Sequence, residues 1–477
     1  MARSPRKTAL RGRRLRHTAS GSAALAVAAV TAFSALPAAA AQTAPHAGTP
    51  VAVTVSAASA GRVGSGFAGF SYEKDRIGAG LFDAGDTGLV KLFRLLGPSV
   101  LRVGGNLGDI VAWNPGGAGG STTEIAPADV TKFAAFLRAT GWKAIYGINL
   151  KTNTPANAAS EAKFAAHALG SNLIAFEIGN EPNDYQSESA YQASYNAYVA
   201  AIRAKVPGAV FDGPGEGDST AWASTFAAAE KNNGLRILST HEYIGSNTTG
   251  TISGMLASNT SGRLPSAEAA MQSAQSANAI PQWRMTEANS YYHGGTLGVS
   301  NVEAASLWSL DFMDGIASHG GAGVNFHGGT STQFPLNYSP IALSGLTPTG
   351  VQGVYYGELL WELAGTGTLH TATATGGADV TAWGIGNNVI VDNKGAAAIT
   401  ATVTLPAQAN SASEYLLTAP SLSSTAITIA GSSVTGTGAF HPAPRALGVT
   451  GKKIVLDIPP GSAALIVTRA DSAATGH

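Results

Sequence analysis

Leu173-Ile174-Ala175-Phe176-Glu177-Ile178-Gly179-Asn180-Glu181-Pro182 opens as an apolar run and breaks into polar residues at its end. A short apolar run closed by Gly and Pro reads as a buried strand. Seven similar runs lie between Gly66 and about Gly329, at 67–72, 100–103, 144–150, 209–212, 235–243, 283–287 and 323–327. The segments between them carry helical cues: 126–139 has Pro127 in its first turn, 158–169 is alanine-rich, and 187–205 spaces Tyr and Ile at helical intervals. Alternating βα units imply a parallel sheet with helices outside it. A doubly wound open sheet gives the same alternation, but eight runs of this length favour a closed (β/α)8 barrel over 66–364.

Beyond Ala364 the composition turns to Thr, Val, Ser and Gly with a period of two, as in 388–391, 401–405, 426–429, 453–458 and 464–468. This predicts an α/β chain with a second domain, a C-terminal antiparallel β-sandwich over 365–477 that buttresses the barrel. In the segment 42–65, the strand-like piece 51–55 is expected to join that sandwich.

The 477 residues are enough for two cores, and with 12% charged residues the chain is neither a disordered polyelectrolyte nor a nucleic-acid binder. Seven basic residues, Arg3, Arg6, Lys7, Arg11, Arg13, Arg14 and Arg16, precede an apolar stretch from Ala19 to Leu36 and small residues up to Ala41. That order predicts a signal peptide over 1–41, hence a secreted protein with no membrane segment after cleavage. Without the seven, 22 basic residues face 29 acidic ones, a formal charge of about −7. There is no cysteine, so disulfides, thiolate metal sites and cysteine nucleophiles are excluded. No Walker loop, H-E-x-x-H, G-x-S-x-G or dinucleotide fingerprint stands in a credible context, and no metal or other cofactor is expected.

Barrel enzymes carry their chemistry at the C-terminal ends of the strands. The fourth run ends at Asn180-Glu181-Pro182, and the seventh at Thr286-Glu287-Ala288-Asn289-Ser290-Tyr291-Tyr292. Glu181 and Glu287 are 106 positions apart, three βα units of roughly 35 residues, so both can face one pocket. A carboxylate at the end of a buried strand is costly unless it has work to do. Two such groups suit glycoside hydrolysis, where one protonates the leaving oxygen and the other attacks the anomeric carbon. Arg102, at the end of the second run, is placed to steady the nucleophile by charge. For Arg102, Tyr243, Tyr292 and His327 the alternative is ordinary barrel packing.

The strand ends resemble glycoside hydrolase family 79, the heparanase and β-glucuronidase family, most specifically at 176–182, 286–295 and Arg102-Val103-Gly104-Gly105-Asn106 with Asp109 and Trp113 following. The resemblance implies Glu181 as acid/base, Glu287 as nucleophile, Asn180 as partner of the sugar 2-hydroxyl and Asp109 as a binder of other ring hydroxyls. It also implies Tyr243 as the phenol that orients the nucleophile, and Tyr292, His293, Gly294 and Gly295 as the segment meeting a uronic carboxylate. One position departs. Where animal heparanases have a tyrosine before the histidine of the eighth strand, this chain has Phe326 before His327, so Tyr338 or another loop residue is expected to replace it. The expected activity is that of an exo-acting, retaining β-glucuronidase with a carbohydrate substrate. A β-glycosidase on a neutral glucoside or xyloside, an enzyme on 4-O-methyl-glucuronides and a non-catalytic carbohydrate-binding protein remain as alternatives.

Overall fold

A computed structural model describes residues 48–469, apart from 332 and 378. The segment read as a signal peptide, 1–41, lies outside the described residues, as do 42–47 and 470–477. No helix of the described residues is long and apolar enough to cross a membrane.

Eight parallel strands close into a barrel: β1 (Ala68–Glu73), β2 (Val100–Gly104), β3 (Lys143–Ile148), β4 (Leu173–Ile178), β5 (Phe211–Gly217), β6 (Leu235–Ser246), β7 (Gln282–Tyr292) and β8 (Val324–Gly328). They are neighbours in chain order, and β8 pairs with β1. Helices follow each strand, and their starts obey the chemistry of orphan N–H groups. Asp86, Thr154 and Ser187 accept from backbone N–H groups of Thr87–Leu95, Pro155–Leu169 and Glu188–Lys205, while Pro127 and Pro155 occupy first turns where no N–H is missed.

Alternation along each strand sorts side chains between barrel interior and helical coat. Phe70 of β1 points outward and meets Phe93 and Trp142 at ring separations of 5.1 and 5.0 Å. Its neighbour Ser71 points inward, where its hydroxyl accepts from Arg102. The same rule decides Phe326. It packs outward against Trp308 and Phe312, while Asn325 and His327 on either side face inward. A tyrosine at 326 would therefore not reach the interior, and the substitution read from the sequence as a departure removes nothing from the barrel mouth.

Three strands differ from expectation. The fifth run was expected to end at 212, but β5 continues through Gly213-Pro214-Gly215-Glu216-Gly217, a stretch whose composition signals a turn. Its glycines are there for close approach: a Cβ at Gly215 would stand 3.3 Å from the Glu177 carboxylate, and one at Gly217 would stand 2.8 Å from Glu181. Strands β6 and β7 outrun the barrel and remain paired out to Ser246 and Tyr292, which carries their tyrosines to the mouth.

The C-terminal region is a curled, largely antiparallel twelve-stranded sheet. It encloses one apolar core from Val51, Val53, Val391, Val403, Leu456 and Ile466. Strands Gly367–Thr375, Val380–Ile385 and Ser411–Thr418 add to those expected. The expected N-terminal contribution is Thr49–Val55, antiparallel to Gly367–Thr375 but parallel to Ile399–Thr404. Alternating burial in a sequence reports which face is inward and not which way the strand runs. The sheet leans on helices Glu303–Ser318 and Gly353–Ala364, with Lys394 Nζ 2.7 Å from Asp311 and Trp383 6.1 Å from Trp361.

Candidate active site

At the C-terminal mouth of the barrel, a cavity of about 240 Å³ is lined by Glu73, Asn106, Glu181, Asp184, Gly217, Asp218, Tyr243, Glu287, Tyr292, His293, His327, Phe334 and Tyr338. Glu181 stands just past β4 with φ +46°, in the left-handed region that a residue with a Cβ enters only under constraint. Gly179 turns the chain ahead of it, and the Glu181 N–H donates to the Gly215 carbonyl at 3.0 Å. Glu287 projects from within β7. One carboxylate oxygen from each of Glu181 and Glu287 and a ring nitrogen of His241 lie within 4.8 Å of one another.

Arg102 organises the buried groups beneath. It donates to Glu177 and Glu287 at 2.6 Å each, to the Asn180 side-chain oxygen at 2.7 Å and to Ser71 at 3.1 Å. The Tyr243 hydroxyl donates to the other Glu287 oxygen at 2.7 Å, and His327 Nδ1 stands 3.4 Å from Glu287. His241 lies between acids, with Nδ1 3.1 Å from Glu181 and Nε2 3.6 Å from Glu177.

Glu181 and Glu287 are pushed in opposite directions. Burial resists ionisation of Glu287, but His327, Arg102, His241 and the Tyr243 hydroxyl overcome it and bring its pKa to about 2. His327 is itself held below its usual value by burial, which outweighs the attraction of Glu287, so at neutral pH we assign the support of Glu287 to Arg102, His241 and Tyr243. Burial raises Glu181, with the Glu287 charge adding and the His241 hydrogen bond opposing. Burial and Arg102 depress His241, yet its bonds to Glu177 and Glu181 prevail and raise it to about 9. Burial and the Glu287 charge lift Glu73 to about 8.

The structure brings Glu181, Glu287, Tyr243, Tyr292, His293, His327 and Tyr338 to one cavity, with Arg102 and Asn180 directly behind it. Asp109 sits elsewhere. Its carboxylate accepts from the N–H groups of Leu150 (2.8 Å) and Asn180 (3.0 Å) and from the Tyr185 hydroxyl (2.8 Å), so it clamps the strand end that carries Asn180 instead of facing the cavity. Gly294 and Gly295, at φ +90° and +78°, lie against the 334–338 segment; a Cβ at Gly294 would collide with the Pro335 carbonyl. The close approach read from these glycines is to the protein's own loop. Glu73, Asn106, Asp184, Asp218 and Phe334 line the cavity without having been singled out as site residues. The end of the first apolar run marks Glu73, and Asn106 closes one of the stretches that carry the resemblance, whereas the others lie in loops whose course no sequence pattern fixes.

Among the described residues, Glu181, His241 and Glu287 have ligand atoms close enough to share a metal ion. Both Glu287 oxygens already accept strong hydrogen bonds, one from a guanidinium, and a cation beside Arg102 would meet its charge. The donor set suits anion stabilisation and proton transfer better than metal binding.

No family model matches the chain. It is 24% identical over 310 residues to a β-glucuronidase of Aspergillus niger, which covers 54% of this chain and 56% of that protein. The chain thus spans about half the length of this curated relative. The fold matches a 4-O-α-L-rhamnosyl-β-D-glucuronidase from Fusarium oxysporum with a TM-score of 0.73 and 19% identity, over 87% of this chain and all (100%) of the other. An arabinofuranosidase from Xanthomonas axonopodis pv. citri matches with a TM-score of 0.62 and 15% identity, over 88% of this chain and 100% of the other. The relative and both structural neighbours are glycoside hydrolases, and this chain has their barrel and curled sheet.

Proposed function

We propose that this protein is a retaining β-glycoside hydrolase that acts on β-glucuronides, with Glu287 as nucleophile and Glu181 as acid/base. The observation that carries the reading is the close pair itself, two mouth carboxylates with oxygens within 4.8 Å and opposite ionisation preferences. Retaining enzymes hold their carboxyl groups about 5–5.5 Å apart, and inverting ones about 6.5–9.5 Å to admit a water. Two acids driven apart in pKa divide the work between proton donor and anion.

In the first step the Glu287 carboxylate bonds to the anomeric carbon as the bond to the leaving oxygen breaks, and that oxygen takes the Glu181 proton. In the second step the Glu181 carboxylate takes a proton from water, whose oxygen displaces Glu287 and restores both groups. Asn180, held by Arg102 and Asp109, presents its amide beside the reacting carbon. A uronic ring is supported by the phenols of Tyr292 and Tyr338 at the mouth and by Glu73. Protonated below about pH 8, Glu73 adds no repulsion against a second anion. The names of the Aspergillus and Fusarium proteins agree with this choice.

A second reading, a glucuronide substituted at O4, is favoured by a small adjoining space of about 60 Å³ that shares Glu73, Asn106, His327 and Phe334 with the cavity and continues to Arg76 and Thr330. The neutral-sugar alternative loses its motive, because Phe326 points away from the mouth.

The test is turnover of p-nitrophenyl β-D-glucuronide beside the glucoside, the xyloside and the 4-O-methyl-glucuronide, with Glu287→Gln as the blank. Glucuronide cleavage that falls by at least about 10⁴-fold in the variant is expected. Proton NMR should show the β anomer released first. First release of the α anomer would remove the nucleophile's role, and cleavage of a neutral glycoside alone would overturn the substrate.

A further inference from the structure

The cavity has two chemically different halves. Glu287 is flanked by Tyr243 and His327, with the Tyr338 ring packed on both, and Tyr292 and Phe334 add aromatic rings to the lining. Beside Glu181 the lining has Gly217, whose Cα faces the Glu181 carboxyl, with Asp218 next to it in the chain and Asp184 at the end of the turn that Glu181 opens. Gly217 leaves bare backbone there, because a Cβ would press on the Glu181 carboxyl carbon at 2.8 Å. Asp218 is fixed in place, accepting from Arg263 at 2.6 Å and from the Tyr243 N–H at 2.8 Å, and its charge is balanced by that arginine. Asp184 closes the turn Pro182–Asp184 that begins directly after Glu181; it is exposed and forms no ion pair among the described residues. Neither Lys nor Arg is among the residues lining the cavity.

A proton from Glu181 must reach the leaving oxygen over hydrogen-bond distance, so the leaving group rests against this second half. Carboxylate oxygens accept hydrogen bonds from hydroxyls and have no donor for a sulfate or carboxylate. We infer that this half is a subsite for an uncharged, hydroxyl-rich leaving group, a sugar, and that Asp184 is the residue that disfavours anionic ones. The inference rests on the proposed β-glucuronidase reading and adds to it the chemical class of what is released.

The experiment compares kcat/KM for three substrates: p-nitrophenyl β-D-glucuronide, a β-D-glucuronosyl hexose, and the same disaccharide sulfated on the hexose. Each is measured with the wild type and with Asp184→Asn, at low and high ionic strength. At low salt the sulfated disaccharide should be cleaved about three- to tenfold less well, as a charge repulsion across partly aqueous space allows. That preference should shrink towards unity in Asp184→Asn, and in the wild type at high salt. Taking the ratio within one variant cancels any loss of folded enzyme. Equal cleavage of both disaccharides by the wild type overturns the inference, as does a preference that survives Asp184→Asn. Cleavage of the nitrophenyl glucuronide with neither disaccharide accepted overturns the sugar subsite while the proposed function stands. Failure to cleave all three removes both.

Discussion

Arg102 and Arg284 are both buried arginines on barrel strands, and they sit at opposite ends of the barrel with opposite partners. Arg102, at the mouth, binds two carboxylates and an amide oxygen, and the charges of Glu177 and Glu287 raise its pKa although burial opposes them. Arg284, at the floor, donates only to neutral oxygens: the carbonyls of Gly66, Phe67, Ala322 and Val324 and the Asn325 side chain. Burial brings it down to about 9, with the Asp212 charge opposing. The guanidinium fork closes a ring of strand ends at the floor, whereas at the mouth it sets the charge of the groups that would react. A buried cation met by dipoles is a fastening; one met by carboxylates also controls ionisation.

Replacing each arginine tests that contrast most strongly. Arg102→Leu strands two buried carboxylates and should cost about 3–5 kcal/mol in urea unfolding. Its kcat per folded molecule should fall by at least about 10³-fold, since the proposed nucleophile loses its charged partner. Arg284→Met leaves carbonyl oxygens unpaired and should cost about 1–3 kcal/mol, with kcat per folded molecule changed by less than about threefold. Equal losses of kcat in the two variants would erase the distinction between fastening and control.

A smaller effect separates charge from hydrogen bonding within the mouth. Tyr243→Phe removes one donor to Glu287 and leaves the Arg102 bond, so kcat should drop about 10²-fold with little loss of stability. Glu287 is held low in the native protein, so losing a support raises its pKa and moves the acidic limb of kcat/KM to higher pH. An acidic limb that stays in place would mean that the neighbouring charges set the ionisation without the phenol.

The smallest expected effect lies at the seam between barrel and sheet, a third way of burying charge. Asp392 is raised to about 8 by burial and by Asp311, against the pull of Lys394. A carboxyl whose folded pKa is raised contributes stability that is complete at acid pH and lost as pH climbs through about 8. Asp392→Asn should therefore flatten the fall in Tm between pH 5 and 9, by roughly 1–3 °C. An unchanged profile would place the titrating group elsewhere in the cluster, at Asp314, which is likewise raised to about 8.

Much of this was legible in the chain because periodicity and punctuation are local. Eight apolar runs became eight barrel strands, and the two glutamates at the ends of the fourth and seventh runs stand at one mouth. Asp109 braces the strand end that carries Asn180, which local pattern does not expose: a polar residue after a strand end can face the cavity or brace the neighbouring strand, and only its donors tell which. The Gly-Pro-Gly stretch of β5 was misjudged because turn-forming composition and close-approach composition are the same composition.

By itself the sequence determined the alternation of strands and helices, the change of character after Ala364 and the identity of the two mouth carboxylates, because each follows from the spacing of apolar residues and the cost of burying a charge. Tertiary structure alone decided that Phe326 turns outward, that Asp184 and Asp218 share the wall around Glu181, and that one arginine governs charge while the other fastens the floor. Those outcomes depend on contacts between residues tens to hundreds of positions apart, and a contact of that kind leaves no periodic trace in the chain that forms it.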